Sequence, residues 1–312
     1  MNCRQCGGRA AINMRHHKLA LCAEHYLEWL PEQVARALEM YGMLLPDDHL
    51  LVAVSGGKDS LALWDIFARL GIEADGLFID LGIEEAAGYS SHSRQLAQRF
   101  AESRHLRLRI VDVPAELGAS IPEAASLTLR GRHKPCSVCG LTKRHIMNRI
   151  ARDEGYSVLA TGHNLDDEAA VLFGNTLNWS AGYLARQAPV LDSAPGLVRK
   201  IKPFCRTYER ETAAYAVLRG IEYVYEECPH AEGSTSLYHK DVLNRMEEDR
   251  PGMKLSFYLS FLKARQEGLF SNPAASPGLH PCSACGQPTS APGICTFCRT
   301  WDQVRARRAQ TE

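Results

Sequence analysis

The chain has 312 residues, 45% of them hydrophobic, enough for one large core with small appended modules. Its 36 Lys and Arg balance 36 Asp and Glu, which disfavours a protein that coats nucleic acid indiscriminately but leaves room for a local basic patch. No run of about eighteen apolar residues occurs, and the start MNCRQCGGRA lacks the charged-then-apolar order of a signal peptide, so a cytoplasmic chain without a membrane span is expected.

Eleven cysteines are present, ten of them at spacings that suit metal sites. In a cytosolic chain, paired C-x-x-C spacing points to metal or redox chemistry, not to disulfides. Residues 1–28 carry Cys3, Cys6, Cys22 and His25, the ligand count and pairing of a structural zinc finger, in a stretch too short for its own core. His16 and His17, inside its loop, are expected on the surface and not among the ligands. Residues 29–46 have the spacing of an amphipathic helix, with Leu30, Val34, Leu38, Leu44 and Leu45 on its apolar positions.

From there to residue 270 short apolar runs alternate with helical patterns. The strand candidates are Leu50–Val54, Ala74–Ile79, Leu106–Val111, Ser157–Thr161 and Glu222–Val224. Helices are expected near 60–70, 90–104, 138–153 and 165–177, with further ones near 207–219 and 236–266 at the edge. Such alternation predicts an α/β domain over 29–270, a parallel sheet flanked by helices. Residues 271–281, SNPAASPGLHP, read as a linker. Residues 282–312 hold a compact ribbon of Cys282, Cys285, Cys295 and Cys298, then a basic tail with Arg305, Arg307 and Arg308. Neither terminal module can fold on its apolar residues alone. A bound Zn²⁺ would contribute roughly 10–16 kcal/mol of apparent binding energy to each. Other basic runs are Arg130–Lys134 and Arg199–Lys202.

The most informative segment is the strand Leu50–Val54 running into Ser55–Gly56–Gly57–Lys58–Asp59–Ser60 and then a helix from Leu61. This order aims backbone N–H groups and a helix N-terminus at an anion. Gly56 and Gly57 let the backbone approach phosphate oxygens. Ser55 and Ser60 add hydroxyl donors, and Lys58 adds a point charge. The Walker spacing is missing. The pattern SGGKDS resembles the PP-loop of the ATP pyrophosphatase superfamily (adenine nucleotide alpha-hydrolase-like), whose members split ATP between the α and β phosphates and leave an adenylated substrate. A second segment, Gly162–His163–Asn164–Leu165–Asp166–Asp167–Glu168, resembles the GHNxDD stretch of tRNA-modifying PP-loop enzymes. Its carboxylates could bind the Mg²⁺ that accompanies ATP, or simply cap a helix. A third, Phe78–Ile79–Asp80, follows the second strand and by resemblance would contact adenine or ribose, at the carboxyl end of the sheet where ligands sit.

Pro135–Cys136–Ser137–Val138–Cys139 begins a helix, where the positive helix end should favour thiolate. Cys228 sits in Glu227–Cys228–Pro229–His230. Two chemistries fit: a cysteine persulfide with a resolving partner, or an iron–sulfur cluster on Cys136, Cys139 and Cys228 with one iron open. The joint pattern resembles the TtuA-type tRNA 2-thiouridine synthetases over nearly the whole chain. That resemblance implies a [4Fe–4S] cluster on Cys136, Cys139 and Cys228, and roles near the base for Lys143 and Asp167. It implies tRNA as substrate, ATP with Mg²⁺, and sulfur from a ubiquitin-like thiocarboxylate protein or from desulfurase-derived sulfide. A homodimer is possible. Cys205 departs from the pattern and is expected to be a small buried residue, a fourth cluster ligand or an alternative sulfur carrier being the other readings. Rival readings are a cytidine-directed thiolase and a C–N bond-forming PP-loop ligase such as a tRNA lysidine synthetase, which would have no use for the three cysteines.

Overall fold

The computed structural model describes residues 1–132, 134–231, 234–270 and 278–310, apart from the side chains of 86 and 87. A hairpin of β1 (Ile12–Met14) and β2 (Leu19–Leu21) opens the chain, followed by α1 (Ala23–Met40). The core alternates β3 (Leu50–Val54), α2 (Lys58–Arg69), β4 (Ala74–Asp80), α3 (Glu85–Ser103) and β5 (Leu108–Asp112). Three short helices follow: α4 (Val113–Leu117), α5 (Ile121–Ser126) and α6 (Leu129–Arg132). Then come α7 (Pro135–Asp153), β6 (Val158–Thr161), α8 (Leu165–Leu177), α9 (Ala181–Leu184), β7 (Val190–Leu191) and β8 (Arg199–Ile201). The last elements are α10 (Glu209–Leu218), α11 (Thr235–Asp249), α12 (Met253–Gln266), the paired β9 (His280–Pro281) and β10 (Pro288–Thr289), and α13 (Thr296–Arg308). Among the described residues no helix is long and apolar enough to cross a membrane.

The main sheet runs β5-β4-β3-β6-β8-β7, parallel except for the antiparallel edge strand β7. Chain order reverses at β3, with β4 on one side and β6 on the other, which opens a crevice at the carboxyl ends of β3 and β6. Successive residues of each strand face opposite sides, so Leu50, Val52 and Val54 join one core and Leu51 the other. The first core also takes Ile12, Met14 and Leu21 from the N-terminal module. The second takes Phe297, Trp301 and Val304 from the C-terminal one. Each small module thus borrows its apolar packing from the main domain.

Several expectations shift for identifiable reasons. The first long helix begins at Ala23, with Cys22 at its N-cap, and ends before Gly42, whose φ of +55° leaves the helical region, so Leu44 and Leu45 lie outside it. Residues 222–224 form no strand, because Val224 N–H donates to the carbonyl of Gly56 (3.0 Å) instead of to a ladder. The edge pair β7–β8 was hidden, its strand Arg199–Ile201 reading as a basic run. The helix expected over 236–266 is two helices, broken at Pro251–Gly252, where Glu247 accepts from the N–H groups of Gly252 (2.6 Å) and Lys254 (2.9 Å). His16 is not a surface residue: its ring lies 3.9 Å from that of Tyr208 and its Nε2 is 2.9 Å from Glu211, so the N-terminal loop is pinned to α10. Of the linker at 271–281, residues 271–277 lie outside the described residues, as does His133, and His280–Pro281 belong to the C-terminal ribbon.

The ribbon docks on one face of α7. Trp301 Nε1 donates to Thr142 Oγ1 (3.2 Å), Phe297 stacks on His145 at 3.5 Å, and Asn148 Nδ2 donates to Gln287 Oε1 (3.3 Å). Burial, helped by the charges of Arg149 and Arg152, lowers His145 to about 4. An unfolded histidine titrates near 6.5, so between about pH 6.5 and 4 the unfolded chain takes up a proton that the folded one refuses. Stability should therefore fall with pH through that window, by at most about 1.4 kcal/mol per pH unit, and stop falling below it. His145→Gln should show a flatter dependence than wild type over the same window in urea titrations. An unchanged slope would remove His145 as the cause.

Candidate active site

The phosphate loop is built as its residues dictate, with one change: α2 starts at Lys58, so Lys58, Asp59 and Ser60 form its first turn. Ser60 Oγ accepts from the N–H of Ser55 (3.0 Å) and donates to Gly57 O (3.0 Å), bracing the loop from inside. Gly56 has φ +78°, and a Cβ there would stand 2.6 Å from Ser93 O on α3. Glycine is therefore required by the neighbouring helix as well as by any ligand. The turn after β6 packs on the same loop: a Cβ at Gly162 would lie 2.9 Å from Asp59 C and Ser60 N. Gly162→Ala should cost about 1–3 kcal/mol through overpacking and weaken ATP binding about tenfold or more. Calorimetric titration with ATP checks this, and undiminished affinity would mean the turn is not coupled to the loop.

Asn164 caps α8 in a reciprocal box with Asp167, so the capping role weighed for this segment is realised. The same carboxylates also enter a charge network. Lys58 Nζ reaches Asp59 (3.1 Å) and Glu209 (2.7 Å), and Lys240 Nζ reaches Asp167 (2.6 Å) and Glu209 (3.0 Å). Asp59 accepts from Asn164 Nδ2 (3.2 Å) and from Thr212, and Asp166 pairs with Lys254. Burial pushes Glu209 up, but Lys240 and Lys58 outweigh it and bring the carboxyl to about 2. For Asp59 burial wins and raises it, Lys58 offsetting only part. Lys58 is raised, burial being outweighed by Asp59 and Glu209.

A cavity of about 490 Å³ opens at the crevice. Ser55, Asp59 and Ser60 line it from the loop, Leu77, Phe78 and Ile79 from β4, Gly162 from the β6–α8 turn, Asp167 from the first turn of α8, and Lys143 from α7. Lys58 instead lines a neighbouring cavity with Glu209 and Tyr208. Asp80 is turned to the N–H of Gly82 (3.0 Å) and to Arg94 (3.5 Å) and is not at the cavity wall. Tyr89, Ser93, Arg144 and His163 also line the cavity. His163 was written in the GHN segment but not singled out, and the other three carry no local sequence signal. His163 Nδ1 lies 2.8 Å from Thr161 Oγ1, and burial lowers its pKa.

Cys136 and Cys139 occupy the first turns of α7, and Cys228 stands just before the short turn Pro229–Ala231 that packs on α7. Cys136 Sγ donates to His230 O (3.4 Å). The thiolate expected from the helix start is not favoured at Cys139, nor is one favoured at Cys228, which lies outside α7. Burial raises both, and charge repulsion among the three sulfurs adds to it. The charge of Lys143, one helical turn further along α7, opposes this at Cys139. Lys143 thus lies on the same helix as two of the sulfurs and lines the cavity. Cys205 is fully buried in the other core, its thiol pushed up to about 12 by burial first and by Glu168 second, and it takes no part in the group.

The terminal sets are ready for single ions. Cys3, Cys6, Cys22 and His25, and separately Cys282, Cys285, Cys295 and Cys298, place all their ligand atoms within 4.8 Å of one another. Sulfurs stand 3.9 Å apart at Cys6–Cys22 and Cys282–Cys298, and 3.8 Å at Cys285–Cys295. A tetrahedral site with Zn–S near 2.3 Å requires about 3.8 Å. Burial raises Cys3 and Cys282, yet backbone N–H donors more than offset it, to about 5 and about 6. Cys136, Cys139 and Cys228 form no such single-ion set. Neighbouring thiols that do not converge on one point suit a multi-iron cluster, in which each takes a separate iron.

Residues 2–27 match the model described as the N-terminal LIM domain of 2-thiouridine synthetase TtuA, and residues 30–231 match the PP-loop domain. A tRNA-5-methyluridine(54) 2-sulfurtransferase of Thermus thermophilus is 50% identical, over 98% of this chain and 93% of its own. The protein of the same name from Pyrococcus horikoshii is 42% identical over 96% of this chain and 94% of its own. Among solved structures, the U34-tRNA thiolase NcsA from Methanococcus maripaludis, determined with its [4Fe–4S] cluster, shares the fold. Its TM-score is 0.79 at 24% identity, covering 97% of this chain and 96% of that one.

Proposed function

The chain belongs to the PP-loop tRNA 2-thiouridine synthetases, and from that premise we propose that it exchanges the C2 oxygen of a tRNA uridine for sulfur at the expense of ATP. The names of its relatives favour 5-methyluridine at position 54 as the target. The observation that carries this reading is Lys143, which lines the cavity beside the phosphate loop one helical turn from Cys139 on α7. A C–N bond-forming ligase has no use for that junction.

In this reading the backbone N–H groups of Ser55–Ser60 take the pyrophosphate end of ATP, and Phe78 with its β4 neighbours takes the adenosine. Incoming phosphates compete with Glu209 and Asp59 for Lys58, freeing carboxylates. Asp59 and Asp167 supply hard oxygen ligands for Mg²⁺. The uridine, turned out of its stack, presents its C2 oxygen to the α-phosphorus. Pyrophosphate leaves, the C2 oxygen becomes part of an AMP leaving group, and a sulfide equivalent attacks C2 and expels AMP. Lys143, which lines the cavity one helical turn from Cys139, offsets charge on the departing phosphate or protonates it. Cys136, Cys139 and Cys228 would hold a [4Fe–4S] cluster, which when bound supplies an iron free of protein ligands where sulfide can be kept. The two terminal sets hold structural Zn²⁺. A separate donor delivers the sulfur, as a thiocarboxylate on a ubiquitin-like protein or as desulfurase-derived sulfide.

The test is an anaerobic incubation of cluster-loaded protein with ATP, Mg²⁺, sulfide and unthiolated tRNA, followed by mass spectrometry of the nucleosides. The expected product is a 2-thiouridine at position 54, with one AMP and one pyrophosphate per sulfur. ATP cleavage that leads to nitrogen incorporation, or to no sulfur, would reject the reading.

A further inference from the structure

Part of the basic runs of the sequence is consumed inside the fold. Arg199 pairs with Asp48, Lys202 with Glu168 (2.7 Å), and Arg308 with Glu123 (3.2 Å). Arg144 on α7 and Lys200 on β8 are among the cations that form no ion pair among the described residues. Lys200 stands in register with Leu159 of β6, which belongs to the core on the α7 side of the sheet, so its side chain is on that side too. The α7 helix is fastened to the loop leading into β8, because Asn148 donates to Gly196 O (2.9 Å) and accepts from Val198 N–H (3.3 Å). Arg144, one helical turn before Asn148, lines the cavity. Burial and the charge of Arg144 both lower the pKa of Lys200. A half-buried ammonium beside another cation with no counter-charge is costly unless an anion completes it.

The adenosine wall of β4 lies across the sheet from this pair, with β3 and β6 between them. We propose that Arg144 and Lys200 form a phosphate subsite that holds the RNA backbone beside the target uridine as it enters the cavity. This rests on the tRNA-thiolation reading. It assigns the β6–β8 side of the mouth to RNA and the β4 side to nucleotide.

The experiment measures tRNA and ATP affinity of the full-length protein over a range of salt concentrations, for wild type, Arg144→Gln, Lys200→Gln and Lys200→Met. Each neutral variant should lower the slope of log affinity against log salt by about 0.7–0.9, one phosphate's worth, with ATP affinity unchanged. Arg144→Lys should retain the slope. Lys200→Met should also unfold at higher urea than wild type, since it removes an unpaired, half-buried charge, which separates lost binding from lost folding. An unaltered slope in protein that still binds tRNA would overturn the subsite alone. A fall in ATP or pyrophosphate affinity with the slope unaltered would reassign the pair to the nucleotide and overturn it as well. A wild type that binds ATP but no tRNA would overturn the thiolation reading and the subsite together.

Discussion

Cys228→Ala is expected to abolish sulfur transfer while leaving ATP bound at the loop. Cys228 comes from the segment between α10 and α11, whereas Cys136 and Cys139 belong to α7. Cys228 is brought near the two cysteines of α7 because Pro229–Ala231 packs on that helix and Cys136 donates to His230 O at 3.4 Å. Removing the distant member leaves two thiols on one helix, too few to hold a cluster that uses three. Thiolation should fall at least about a thousandfold, equivalent to about 4 kcal/mol of barrier. Anaerobically purified variant should carry little iron or sulfide. ATP affinity should stay within about twofold, because Cys228 is not at the cavity wall. Cys205→Ala is the contrast. It should keep its iron and lose on the order of 1 kcal/mol of stability from the vacated core volume. If Cys228→Ala retained full iron, or Cys205→Ala lost it, the ligand assignment would be wrong.

The second large effect is expected at Trp301. Its side chain is 1% exposed, packs with Phe297, and donates to Thr142 of α7 at 3.2 Å. Trp301→Ala should cost about 3–5 kcal/mol, a large share of the roughly 5–15 kcal/mol that stabilises a typical domain. Because Thr142 neighbours Lys143, loosening the ribbon should also lower thiolation. Urea titration together with zinc analysis reads both consequences. Full stability with zinc retained would mean that the ribbon is an appendage and does not brace α7.

Legibility in the sequence followed distance along the chain. β3, the SGGKDS loop and α2 are contiguous, and the expected α8 boundaries at 165–177 match because Asn164 signals its own cap. Both terminal metal sets were readable from ligand spacing alone, since the ion dictates it. Long-range pairing was not readable. Lys58 and Glu209 are separated by 151 positions, and nothing local to either marks the bond. The same holds for His16, which looks like a loop histidine until α10 brings Glu211 to it. Tyr89 and Ser93 enter the cavity from α3 for the same reason. At Cys139 the helix-start rule gave the wrong sign for the thiol, because burial and like-charge neighbours outweighed the dipole.

The central claim is that the base oxygen itself is activated by the α-phosphate of ATP. Substrate tRNA made with heavy oxygen at C2 of the target uridine tests it in one reaction, through the isotope content of the AMP released. Activation at C2 predicts that the AMP carries the label, one heavy oxygen per sulfur installed. Unlabelled AMP accompanied by thiolated tRNA would contradict it, since ATP would then have been cleaved without ever bonding to the oxygen that sulfur replaces.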